Sequence, residues 1–123
     1  MLTVFWNSFV KLVAPGSEYF EEGTERFRAL CEGRKLIANI DYREGNILHL
    51  RLIDPSDPAS GSGDASINAV MVQEGYASIE RKGVVAKYSG SYPNVMKKLE
   101  ESLKVAKRER AGMFEYGNVD EED

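Results

Sequence analysis

Arg43, Arg51, Arg81, Lys82 and Lys87, with Tyr42 and Tyr88 spaced among them, are the residues of this sequence best suited to gripping a nucleic-acid strand. Cations neutralise phosphates, and tyrosine rings offer flat surfaces on which unpaired bases stack. Each of these charges also reads as an ordinary solvated loop residue, and the lysine-rich stretch from Lys97 to Arg110 as a solvated helix face. Asp41 and Glu44 flank a turn, where acids are normally exposed, so they make a poor acid–base pair. One cysteine, Cys31, and one histidine, His49, rule out an internal disulfide and a zinc site of the usual ligand count. Cys31 falls on an apolar stripe and reads as a core thiol. His49 reads as a surface histidine on a sheet. Phe5 and Trp6 are either core or the anchor of an interface.

The net charge of −4 comes from the last four residues, all acidic; without them the body is neutral. A neutral body has no general attraction to nucleic acid, so any such binding rests on a local patch. With 123 residues, 42% hydrophobic and 29% charged, the chain has the content of an ordinary soluble domain with one modest core. No apolar run approaches the ~18 residues of a membrane span. The opening MLTVFWNSFVKLVAPG has no basic leader and reads as a buried strand, not a secretory signal.

The elements that must position these side chains follow from spacing. Thr3–Val13 predicts a strand, ended by Pro15-Gly16. Ser17–Glu32 predicts a helix with acids in its first turn and Phe20, Phe27, Leu30 and Cys31 on one side. Leu36–Asp41 and Ile47–Ile53 predict a hairpin, with His49 and Arg51 on a mixed, partly wet face. Asp54–Asp64 is rich in proline, glycine and serine and predicts a flexible loop. Ser66 or Asp64 caps the next helix, with Ile67, Val70 and Met71 inward and Gly75 as its stop. Tyr76–Glu80 leaves extended, and Arg81–Ser91 predicts a loop. A last helix starts at Tyr92-Pro93, with Met96, Leu99, Leu103 and Ala106 as its stripe. Residues 1–117 are expected to be one domain, with 118–123 as an acidic disordered tail.

The segments EEGTERFRALCEGRKLIANID, VMVQEGYASI and KKLEESLKVAKRERAGMFEYGNVDEED, in that order, resemble the staphylococcal-nuclease-like domains. FVKLVAP and the MFEYG-acidic ending are most similar to the C-terminal nuclease-like domain of the Tudor–staphylococcal-nuclease family. The resemblance implies an α+β fold: a partial, OB-fold-like β-barrel with three helices. The active enzymes of the family hold calcium with acids on an early loop and clamp phosphate with arginines. Here Ala14-Pro15-Gly16-Ser17 stands at that loop, and Asn46 stands where one arginine would be. Asparagine lacks the fixed, always-charged fork of arginine.

The resemblance therefore implies a module with no catalytic residue, metal or cofactor. It implies RNA or ribonucleoprotein binding and scaffolding in RNA silencing, decay, transcription or splicing, in cytoplasm and nucleus. With three predicted strands the barrel stays open. Its edge is expected to be covered by the N-terminal segment, by other domains of a parent protein or by a second copy. Two rivals remain: a protein-interaction or dimerisation module that never touches RNA, and a calcium-dependent nuclease completed by a partner chain.

Overall fold

The computed structural model describes residues 4–61 and 65–117, apart from the side chains of residues 4–6 and of Val84. Phe5 and Trp6 as interface anchors, and the acidic tail, thus lie outside what is described.

The single strand expected at the start is two. β1 (Val4–Asn7) and β2 (Val10–Leu12) are separated at Phe9, whose φ is 64°. A left-handed residue bends a strand sharply, and here the bend moves the chain from one sheet to another. β1 runs parallel to β4 (Ile47–Ile53), placing Trp6 opposite His49. β2 runs antiparallel to β5 (Ala77–Ile79), the extended exit read from Tyr76–Glu80. The N-terminal segment therefore does cover a side of the hairpin. Among the described residues there are five strands, in the orders β1–β4–β3, where β3 is Ile37–Glu44, and β2–β5.

β3 (Ile37–Glu44) runs three residues beyond its expected end at Asp41. Glu44 pairs with Ile47, so the turn is only Gly45-Asn46, and Gly45 supplies the φ of 62° that such a tight turn needs. A bulge at Asp41 lets the strand continue: Ile40 faces Leu50 and Tyr42 faces His49, with Asp41 between them. Among the described residues β3 pairs on one side only, and it exposes Ile37 and Ile40 at 54% and 57%.

α1 (Phe20–Cys31) starts later than predicted. Ser17 instead makes a turn, its Oγ accepting from the Tyr19 N–H at 3.2 Å and its carbonyl from Phe20 at 3.1 Å. Leu30 is buried, while Phe27 and Cys31 pack half-buried on the core. Burial pushes the Cys31 thiol pKa up. Gly23 is buried where a Cβ would stand 3.1 Å from Val13 and 3.3 Å from Tyr76, so its lack of a side chain lets the helix approach β2.

α2 (Ile67–Gln73) is capped by Ser66, whose Oγ accepts from the Ala69 N–H at 3.3 Å. It packs on α4 (Pro93–Glu109), which has proline in its first turn. Ile67, Met71, Val72, Leu99, Leu103 and Ala106 join Phe9 and Ile79 in one core, each large side chain contributing about 1.5–3 kcal/mol. Val95 is buried in the first turn of α4, and the expected Met96 is only half-buried. α4 ends at Arg110, with φ 52°, well before Gly117; the chain then turns through Gly112–Phe114 and buries Phe114. A fourth helix, α3 (Val84–Tyr88), occupies part of the expected second loop.

The proline-rich loop is ordered over its described residues around a buried carboxylate. Asp54 Oδ1 accepts from Ser56 Oγ at 2.6 Å and from the Ser56 N–H at 3.0 Å, and Oδ2 pairs with Arg34 at 2.8 Å. These bonds, the Ser56 hydroxyl first, hold Asp54 below the usual carboxylate range. A depressed folded-state pKa stabilises above the unfolded value and ceases to as pH falls through the folded one. The melting temperature of Asp54→Asn should therefore lie below the parent's near about pH 7. The gap should close progressively below about pH 4.

Candidate nucleic-acid interface

The face of β4 expected to be wet is closed. His49 and Arg51 are 5% and 8% exposed. The bulge at Asp41 carries its carboxylate inward to meet Arg51: Nε donates to Oδ1 and Oδ2 at 3.0 Å, and Nη2 lies 2.9 Å from Oδ1. Ser8 Oγ donates to Asp41 Oδ2 at 2.5 Å, Asn39 Nδ2 to Oδ1 at 2.8 Å, and Tyr92 Oη to the Asp41 carbonyl at 2.6 Å. The Arg51 guanidinium also lies 5.7 Å from the Tyr92 ring centroid. Charge, hydrogen bonds and ring contact all hold Arg51 as part of the interior, which corrects its place on an open binding face.

Tyr42 is corrected in the same way. It is 5% exposed and lies between His49, at 4.3 Å and 15° between planes, and Tyr88, at 4.5 Å and 9°. Both ring faces are covered, so neither stacks on a base. Tyr88 is half-buried, one face spent on Tyr42, with Lys87 Nζ 5.7 Å from its centroid. His49 Nε2 is 3.3 Å from Glu44 Oε1. Arg81 makes a two-pronged pair with Glu100, at 2.8 and 3.2 Å, and that bond holds the Glu100 pKa down. Arg43, Lys82 and Lys87 are exposed. The expected cluster thus divides: Tyr42 and Tyr88 come together as a stack, Arg51 is buried, Arg81 is held by α4, and the remaining cations stay on the surface.

Around this stack lies a cleft of about 390 Å³. Asn7, Phe9 and Lys11 line it from the corner between β1 and β2, Tyr42, Glu44 and His49 from the hairpin, and Glu80 and Lys82 from beyond β5. Phe9, Lys11 and Glu80 were missed in the sequence. Nothing in it marks Phe9 as a bend, since left-handed backbone is signalled by glycine or asparagine. Burial and the nearby carboxylates of Asp41, Glu44 and Glu80 push the Tyr42 phenol up to about 12, so it stays neutral and able to donate. Its hydroxyl is buried with no hydrogen-bond partner.

Over 111 residues the chain is 32% identical to the protein called Staphylococcal nuclease domain-containing protein 1 from Schizosaccharomyces pombe, a match that takes in 90% of this chain. The chain is thus similar, over nine-tenths of its length, to a protein named for staphylococcal-nuclease domains. It spans 12% of the length of that relative. The structure titled "Extended Tudor domain of Drosophila Melanogaster Tudor-SN (p100)" superposes on it with a TM-score of 0.69 at 16% identity, over 89% of this chain and 46% of that one. That likeness bears out the OB-like α+β fold. No family model matches the chain.

The donors present do not fit the calcium that the family's active enzymes hold. Ala14, Pro15, Gly16 and Ser17 contribute no acid, and among the described residues no three His, Cys, Asp or Glu side chains group closely enough for a metal ion. Among the described residues, too, no helix is long and apolar enough to cross a membrane.

Proposed function

We propose that this nuclease-like domain is a non-catalytic module of a longer protein of the Tudor–staphylococcal-nuclease type, binding RNA or ribonucleoprotein and acting as a scaffold in cytoplasm and nucleus. The observation that carries the reading is the pair of replacements at the reaction centre. Asn46, exposed in the Gly45-Asn46 turn, stands in place of a phosphate clamp, and Ala14–Ser17 stand in place of metal-binding acids. Phosphodiester hydrolysis by the family's route needs both a cation held by carboxylates and a fixed guanidinium. What remains for holding a backbone is Lys11 and Lys82 on the lining of the cleft, with Arg43 exposed on β3 and Lys87 exposed on α3.

The protein-interaction reading has an observation of its own: two of the expected contact arginines, Arg51 and Arg81, are engaged by Asp41 and Glu100. A titration of single-stranded RNA at two salt concentrations separates the readings. Three phosphate contacts should weaken binding roughly twentyfold between about 50 and 200 mM salt. No binding at the lower salt would favour the protein-interaction module. Cleavage that stops on adding a chelator would overturn the non-catalytic assignment.

A further inference from the structure

We infer that the acidic run Asp120, Glu121, Glu122 and Asp123 docks on the cationic last two turns of α4 in the same molecule. The way the described chain ends places its exit beside that surface. Gly117 is tied back to Phe114, its N–H donating to the Phe114 carbonyl at 3.1 Å. The buried Phe114 ring has Lys107 Nζ 5.8 Å from its centroid, so the chain departs next to the C-terminal end of α4. Lys104 and Arg108 are exposed there one turn apart, and Arg110 is exposed at the cap. Together with Lys107 they set four cations against one acid of the same two turns, Glu109. Arg108 lies 3.5 Å from Glu109 with both side chains well exposed, a contact that water weakens and a better-placed carboxylate can replace. The negative end of the helix dipole, equivalent to about half a charge, offsets little of this excess.

The other flank of the exit repels the same segment. Tyr19 Oη donates to Glu115 Oε2 at 2.9 Å, which brings the start of α1 against the C-terminal turn. Glu18, Glu21 and Glu22 are exposed at that start. Like charges on one side and opposite charges on the other steer four carboxylates away from α1 and onto α4. The reach is sufficient: Asp120 follows Gly117 by three residues and Asp123 by six, about 10 and 20 Å of extended chain. Lys104 and Arg110 are about 9 Å apart along the helix axis. A short tether holds the acids at about millimolar effective concentration, so at micromolar protein each molecule's own acids outcompete those of a second copy. The pairs are exposed, so the seat loosens as salt rises. Another polyanion approaching these cations has to displace the acidic run first.

The test compares backbone amide NMR shifts of the full chain with those of a neutral variant carrying Asp120→Asn, Glu121→Gln, Glu122→Gln and Asp123→Asn, at about 50 mM salt. Among residues 4–117, the differences should be largest at 104–110, and they should shrink about threefold or more at about 500 mM salt. The same comparison in a Lys104→Gln, Arg108→Gln background should lose most of those differences. Both side chains are exposed on the helix, so this background should melt as the parent does. Tenfold dilution should leave the pattern unchanged. Differences confined to the residues next to the acidic run, or centred on another face, overturn the dock. So do differences that survive in the Lys104→Gln, Arg108→Gln background. A pattern that fades on dilution overturns docking within one molecule and assigns the contact to a second copy.

Discussion

Replacing Asp41 by alanine is expected to destabilise the fold by about 3–5 kcal/mol, because it strands a buried guanidinium. The Asp41 side chain is 0% exposed and that of Arg51 9%. The carboxylate also accepts from Ser8 and Asn39, so the substitution leaves those donors short as well. Arg51→Ala should cost a similar amount by leaving the carboxylate buried without its counterion. Asp41→Leu combined with Arg51→Met should recover much of the loss, since an apolar pair of similar volume avoids desolvating two charges. Denaturant unfolding of the two single variants and the double variant measures this directly. A double variant as unstable as the sum of the singles would mean that the pair is not acting as a unit.

The second large effect lies where two backbones touch. Gly75, at φ 81°, ends α2 with its carbonyl accepting from the Met113 N–H at 3.0 Å. A Cβ on Gly75 would collide with the carbonyl of Ala111, and one on Gly112 with the carbonyl of Gly75. The obstacle in each case is main chain, which cannot swing aside as a side chain can. Gly75→Ala is therefore expected to cost about 3 kcal/mol or more: the left-handed conformation disfavours a side chain, and relieving the clash pulls Phe114 from the core. Thermal unfolding should fall by well over ten degrees for a domain of this size. Gly33→Ala is the comparison: it has a φ of 72° but nothing within 4 Å of its added methyl, so it isolates the conformational part.

These effects also mark how far the sequence could be read. The α2 and α4 cores were legible because Ile67, Met71, Leu99, Leu103 and Ala106 recur at helical spacing, and Ser66, Gly75 and Pro93 are local signals. The hairpin was legible from alternation, but its end was not. A bulge adds a residue without any mark of residue type, and this one sends Asp41 inward and carries the strand on to Glu44. The same blindness hid the break at Phe9, and with it two of the five strands as separate elements. The site suffered most. Charge and aromaticity singled out Tyr42, Arg51 and Tyr88, but only pairing distances reveal that Asp41, His49 and Tyr88 consume the groups that looked free.

The outer edge of β3 bears on how the isolated polypeptide behaves in a tube. Ile37 and Ile40 lie open on a strand whose far side has backbone groups with no neighbour among the described residues. Such a surface templates cross-β association between molecules as concentration rises. Arg34 and Lys35 before the strand and Arg43 and Glu44 at its end are all exposed, and they serve as gatekeepers: charges at both ends of a sticky stretch whose hydration opposes the pairing of copies.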